Sequence, residues 1–309
     1  MATDALPVFP PELWLRVLQN LVEEDDLPHL WMNCRHVCTS FRDAAESIFR
    51  GRQLPLVKIL FTIGEESIVV VACLLMLKAG NDETVSETSE FLFAGLSDNE
   101  ITATLRVEED TPEELKPAIK EGLRKHVDST SIEIPHHTIQ IRRDVHDGPI
   151  PAISVDYDKF EISFDWRGLF TAFYGEEQLY QKLTNKWASS QEAWKSRMAA
   201  KVTRGEIDMM QVITEASNAF AKGSEDCRKQ ARRARIRKQF RDLDGREFDF
   251  DQADSKAEHD ALFKMKVQRD FASLYFTDEG EEGESDDEGE EDSEWEDESI
   301  GDRGSPRTQ

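Results

Sequence analysis

Long apolar runs are missing from this chain: the longest, Ile68 to Leu77, spans ten residues, against the roughly 20 that a helix needs to cross a bilayer. No membrane span is expected, and no amino-terminal apolar stretch suggests a signal peptide. Cysteine is sparse too. The four present, Cys34, Cys38, Cys73 and Cys227, lack the clustered spacing of a disulfide framework, so a reducing intracellular compartment is expected, cytoplasmic and/or nuclear. Signatures of catalysis are also missing: no phosphate loop, no nucleotide-binding glycine fingerprint, no nucleophile elbow. A zinc site would need two ligands beyond Cys34 and Cys38, and His29 and His36 stand at no finger-type spacing from them. His136 and His137 are adjacent, so on a strand they point to opposite faces and cannot act jointly. No enzyme activity, cofactor or metal is expected. No internal repeat is visible, which argues against leucine-rich or propeller architectures.

Negative charge is abundant instead, and unevenly placed. The chain of 309 residues has a formal charge of −25, yet Asp278 to Glu298 alone holds 15 acidic residues in 21 and no basic one. Such a block repels itself and has almost nothing to bury, so residues 277–309 read as a disordered, solvated tail. Within it Ser285 and Ser293 precede acids, and Ser305 precedes Pro306, so the three are candidate phosphorylation sites. Opposite in sign, Arg228 to Arg241 holds eight basic residues in fourteen. Basic nearly all round, it reads first as an import signal or solvated helix, next as a partner for the acidic tail. Nucleic acid ranks last, because the net negative field repels phosphate and Phe240 alone could stack.

The fold class expected is α+β. Leu56 to Ile63 and Ile68 to Leu77 are rich in β-branched residues around Gly64-Glu65-Glu66-Ser67 and read as a hairpin. Thr111-Pro112-Glu113-Glu114 reads as a capped helix start, with Leu115, Ile119 and Leu123 as its apolar side up to about Lys125. Ile132, Ile134, Ile139 and Ile141 alternate with polar neighbours. Ile153, Val155 and Tyr157, then Phe160, Ile162, Phe164 and Trp166, predict a second hairpin turning at Asp158-Lys159. These pieces make one mixed α+β domain over 54–168. The period then changes to about 3.6 residues, giving a helical region over 169–276. It contains Leu179, Leu183, Trp187, Trp194, Met198 and Val202, then Ile207 to Phe220 after Gly205, and finally Ala257 to Phe276, with Gly223 and Gly245 as punctuation. Trp187 and Trp194 read as core.

At the amino end, Pro10 and Pro11 suit a first helical turn, and Leu13, Trp14, Val17, Leu18 and Leu21 recur at steps of three and four. Asp25 or Asp26 can cap a second helix that tolerates Pro28 in its first turn. A second stripe runs Leu27, Leu30, Trp31, Cys34, Val37, Cys38, Phe41, Ala45 and Ile48. Roughly forty residues cannot bury enough surface to be stable alone, so these stripes need a partner in this chain or another.

The segment Phe9-Pro10-Pro11-Glu12-Leu13, Val17-Leu18, Leu21, Asp26-Leu27, Val37-Cys38 and Phe41 resembles an F-box, with Phe9 in place of the usual Leu and Phe41 in place of the usual Trp. Asp26 to Val37 is about one helical turn longer than the common pattern. The resemblance implies a small three-helix unit over 9–49 that docks a Skp-type adaptor and, through it, a cullin. Its docking residues would be Pro10, Leu13, Val17, Leu18, Leu21, Leu27, Val37 and Phe41. It further implies a non-catalytic receptor that holds an unknown protein substrate for ubiquitin ligation. A different class is a nuclear scaffold or chaperone-like protein that binds basic partners through its acidic tail.

Overall fold

Val57, Ile59 and Phe61 alternate with Lys58 and Thr62, and this alternation sets β1 (Val57–Thr62) inside a seven-stranded antiparallel sheet. The computed structural model describes residues 10–21, 23–62, 88–108, 111–128, 131–250 and 255–275. Its other strands are β2 (Thr88–Leu96), β3 (Thr102–Val107), β4 (His137–Ile141), β5 (Asp144–His146), β6 (Ser154–Asp156) and β7 (Glu161–Asp165), in the spatial order β5-β4-β1-β2-β3-β7-β6. Eight α-helices accompany them among the described residues: α1 (Pro11–Gln19), α2 (Leu27–Met32), α3 (Thr39–Ile48), α4 (Lys116–Asp128), α5 (Trp166–Ser190), α6 (Glu192–Thr203), α7 (Met209–Asp244) and α8 (Ser255–Tyr275). The class is α+β.

Register puts one apolar face together. Ile59 stands opposite both Phe91 and Ile139, Val57 opposite Ile141, and Leu105 opposite Phe93 and Ile162. The other face is polar, with Lys58 beside Glu90, Arg106 bonded to Glu161, and Thr104 Oγ1 3.0 Å from Ser163 Oγ. A sheet of this kind buries one side and wets the other. Ile119 and Leu123 of α4 and the Trp166, Leu169, Phe170, Phe173 and Tyr174 stripe of α5 belong to the core cluster of the apolar face.

The amino-terminal helices join the same core. Trp31 is fully buried against Phe49, Trp166 and Phe170, and its Nε1 donates to Thr171 Oγ1 at 3.1 Å. Glu46 of α3 accepts from Arg35 at 2.9 Å and from Arg167 at 2.7 Å, tying α3 to the start of α5. The partner that those short stripes need is therefore in the chain itself: one hydrophobic cluster runs from Leu18 to Tyr174.

Several expectations are corrected. β1 pairs with β2 on one side and β4 on the other, while Ile63 and Ile68–Leu77, the rest of the expected hairpin, lie outside the described residues. Ile132 and Ile134 are in bends, and only Ile139 and Ile141 are in a strand. Helix α4 starts one turn later than Thr111-Pro112 predicts: the Leu115 N–H donates to the Pro112 carbonyl in a turn, and the first i to i+4 bond is Ile119 to Leu115. Asp26 precedes α2 without capping it through its side chain. The second stripe breaks into α2, a 3₁₀ turn at Cys34–His36 and α3, which leaves Val37 and Cys38 exposed while Cys34 stays buried. Helix α6 buries none of its residues, so Trp194 is not core.

The β6–β7 hairpin turns at Asp158-Lys159 as the alternation predicts, with both N–H groups donating to Asp156 Oδ1. Asp165 then accepts from the Arg167 N–H at 3.0 Å and starts α5, so Trp166 opens the helix rather than closing the strand. Gly245, at φ 68°, ends α7 in the left-handed conformation that favours glycine. Gly223 does not punctuate: α7 passes through it unbroken, and the Trp187 ring lies where a Cβ would be, 2.3 Å from the ideal position.

Candidate functional site

Two surfaces and one buried cluster collect the polar or exposed apolar groups that could act. The first surface is α1. Pro10 is exposed at its start, and the Leu13 N–H donates to the Pro10 carbonyl at 3.0 Å. Leu13 is 42 % exposed and Val17, four residues on and on the same face, 52 %, while Val37 beyond α2 is 66 % exposed. Leu18 and Leu27 are each 1 % exposed and belong to the chain's own core. Leu21 and Phe41 are half-buried, Phe41 with its ring 4.6 Å from that of Trp14. The docking set read from the sequence thus divides. Pro10, Leu13, Val17 and Val37 face solvent, Leu21 and Phe41 lie at the margin, and Leu18 and Leu27 hold the helices to the rest of the protein. Leu18 and Leu27 cannot touch a partner without opening that core, which corrects their assignment.

The second feature lies under α7. Arg228, Arg232 and Arg235 are spaced four and three apart, hence on one helical face, and that face meets the acids of β5 and α5. Arg228 donates to Glu177 at 2.9 Å and to Asp144 at 3.2 Å. Arg232 gives Nε to Asp147 at 2.9 Å and Nη2 to the Glu133 carbonyl at 2.5 Å. Arg235 bridges Glu176 at 2.6 Å and Asp147 at 2.5 Å. His146 places Nε2 3.0 Å from Glu177 and Nδ1 3.3 Å from Glu176. On the next face Arg233 and Lys229 hold Glu258 of α8 at 2.6 and 3.2 Å.

The electrostatics follow from this geometry. Burial alone would neutralise His146, but the flanking Glu176 and Glu177 carboxylates hold its imidazolium up to about 9. Burial would likewise raise Asp147 and Glu176; Arg232 and Arg235 pull Asp147 below the usual carboxylate range, and Arg235 and His146 do the same for Glu176. Asp144 is pushed up to about 7 by burial and by the Glu177 charge, against the pull of Arg228. Both imidazole nitrogens of His146 and the inward arginines are engaged, so the cluster locks α7 to the sheet edge.

At Arg228, Arg232 and Arg235 the basic run is therefore not a solvated face, whereas Arg237, Lys238 and Arg241 are exposed. Arg232 and Arg235 are buried among acids, and those acids belong to the folded domain. The i, i+4, i+7 arginines with Cys227, Ala231 and Ile236 between them were the available sign of an inward face, masked by Lys229, Arg233, Arg237, Lys238 and Arg241 on the other sides.

Beside the cluster is the second surface, a cleft of about 210 Å³ lined by His126, His137, Ile150 and Gln239 among others. Burial holds both imidazoles neutral, His126 at about 4 and His137 at about 3. His136 is exposed and His137 buried, so the two do point to opposite sides. Among the described residues no group of three or more His, Cys, Asp or Glu could hold a metal ion, and no helix is long and apolar enough to cross a membrane. Burial raises the Cys34 thiol above its ordinary value, as for a core cysteine. Ser285, Ser293, Ser305 and the acidic segment 277–309 lie outside the described residues. Compared with protein families, with curated proteins and with solved structures, the chain matches none of them.

Proposed function

We propose that this protein is an F-box-type receptor, the non-catalytic subunit that brings a protein substrate to a Skp-cullin-F-box ubiquitin ligase. The observation that carries the reading is the exposed apolar side of α1, Leu13 and Val17, with Pro10 and Val37, on three short helices whose opposite side is anchored in the core. Isolated apolar residues at a surface are ordinary, but Leu13 and Val17, one turn apart on a helix anchored in the core, fit an adaptor contact. The chemical gain in such a complex is proximity, since tethering raises the effective concentration of a substrate lysine near activated ubiquitin. No residue of this chain needs to touch the thioester, and no cofactor is required.

The test is co-purification of the full chain with a Skp-type adaptor. A Leu13→Asp, Val17→Asp double variant should lose the adaptor while keeping its fold by circular dichroism, because both residues are about half exposed and lie outside the buried core. Anchor residues of this kind commonly contribute more than about 1 kcal/mol each to an interface. Leu18→Ala should instead lower stability, by about 2–5 kcal/mol as for buried leucines in general. Removal of 278–309 should leave the adaptor bound. Loss of every partner on that deletion, with no adaptor captured by the intact chain, would favour the scaffold that binds basic proteins through its tail.

A further inference from the structure

Helix α7 carries one row of small and apolar side chains whose surroundings change partway along. Met209, Ile213, Ala216, Phe220, Gly223 and Cys227 follow one another at steps of three and four, so they share a face. From Gly223 onward the row is buried, Gly223 against the Trp187 ring. Before it, Met209, Ile213 and Phe220 are 59, 50 and 57 % exposed, with Met210 beside them at 69 %. Residues 178–222 hold the end of α5, all of α6 and the start of α7, and none of them is buried. An apolar row that runs on past the body covering it is a seam without its cover.

Charge selects the occupant. Residues 178–222 hold seven basic and four acidic side chains, a net of +3 in a chain of −25. Glu192 pairs with Lys195 and Glu206 with Arg204, while Lys186, Arg197 and Lys222 have no ion pair among the described residues. Two copies of such a surface repel each other, whereas an acidic segment with an apolar anchor is drawn to it. The chain has one: residues 278–309 carry 16 acids against Arg303 and Arg307, and Trp295 stands among them between Glu294 and Glu296. The described chain also leads there. Glu258 of α8 pairs with Arg233 and Lys229, and Lys266 with Glu225 at 2.6 Å, so α8 runs antiparallel to α7, toward the uncovered end of the row, and ends at Tyr275. Trp295 is 20 residues further on. At roughly 3.3 Å per extended residue it reaches all of the uncovered row, which spans about 17 Å at the rise of a helix. The basic run 228–241 competes poorly, since Arg228, Arg232 and Arg235 are spent on buried acids.

We propose that the acidic segment 278–309 lies across this face of α7 in the same molecule, with Trp295 seated on Met209, Ile213 and Phe220 and its carboxylates drawn by the basic side chains of residues 178–222. The contact hides the row from other partners until the segment leaves it. It stands apart from adaptor docking by α1.

The experiment is ¹⁹F NMR of the full chain labelled with 5-fluorotryptophan, beside a labelled peptide of residues 278–309. Trp295→Phe assigns the Trp295 resonance. At low salt that resonance should stand away from its position in the free peptide, at every protein concentration. In a Met209→Glu, Ile213→Glu variant it should move to the free-peptide position, and at about 1 M salt, where the Debye length is about 3 Å, part of the way. Both substituted side chains are exposed, and unchanged Trp31 and Trp166 resonances would show that the core is intact; if those move, Ile213→Ser alone takes the place of the double variant. A Trp295 resonance that coincides with that of the free peptide would overturn the proposal and leave the row to an acidic segment of another protein. So would a shift that persists in the double variant, which puts the segment elsewhere, or one that vanishes on dilution, which puts a second copy's segment on the row.

Discussion

Arg232 keeps 2 % of its side chain exposed and gives three hydrogen bonds, two to Asp147 and one to the Glu133 carbonyl. Removing one member of a buried ion pair strands the other, at a cost of about 3–5 kcal/mol, whereas replacing both by apolar groups can be neutral. Arg232→Ala should therefore destabilise by that amount in urea unfolding, and Asp147→Leu should not rescue it, because Arg235 rests on the same carboxylate. The same cluster makes stability depend on pH. His146 titrates at about 9 when folded and near 6.5 when unfolded, so its contribution is complete below pH 6.5 and fades as pH rises through 9. The groups around it are Glu176 and Glu177 from α5, which bond it, and Asp144 of its own strand, while Arg228 and Arg235 of α7 pair with those glutamates and Arg269 of α8 donates to the Val145 carbonyl. His126 and His137 act in the opposite sense: folded values of about 4 and 3 mean that the unfolded chain takes up protons first as pH falls below 6.5. Asp144, pushed up to about 7, likewise loses stability as pH rises through 7, so the melting temperature should be highest on the slightly acid side of neutral and fall on both sides, and His146→Gln should flatten the alkaline limb.

At the scale of elements, α7 and its neighbours show what periodicity can and cannot reveal. The hairpin of β6 and β7 was legible because Ile162 and Phe164 alternate cleanly around a polar turn at Asp158-Lys159, whereas the break between α5 and α6 was not, since Trp187 and Trp194 stand seven apart as on one unbroken helix. The inward face of α7 was not legible, because its buried positions are arginines whose partners, Asp144, Asp147, Glu176 and Glu177, come from distant elements. On the α5 side the matching sign was the adjacent pair Glu176-Glu177 directly after the apolar Phe170, Phe173 and Tyr174. Gly223 was misread for the opposite reason: its role lies in Trp187, 36 positions earlier and on another helix. Alanine would normally favour a helix by up to about 1 kcal/mol over glycine. Here the Cβ would fall 2.3 Å from Trp187, so Gly223→Ala should displace that indole, shift its fluorescence and lower the melting temperature.

For the whole molecule, the amino-terminal helices and the sheet share one core, although the sequence divides them at about residue 50. The apolar stripe of Leu27, Leu30 and Trp31 showed that a partner was needed but not that it would be Trp166 and Phe170 of α5. A fragment covering residues 1–53 should therefore stay unfolded by circular dichroism, while a chain ending at 277 should keep the full cooperative transition. The same dependence bears on the docking face proposed for α1. Leu13 and Val17 are held in place by residues more than 100 positions further along, so a defect in α5 would disturb docking without altering any exposed side chain.

The order of strands in the sheet has a consequence in time. Strand β1 is flanked by β2 and β4, and β4 begins 75 residues after β1 ends, across the whole of β2, β3 and α4. Pairings this far apart carry the entropy of closing long loops before any burial offsets it, which slows folding relative to a helical bundle of equal size. On the ribosome the first helices emerge well before α5 can receive Trp31, so the apolar side of α2 waits in solvent until more than half the chain has been made.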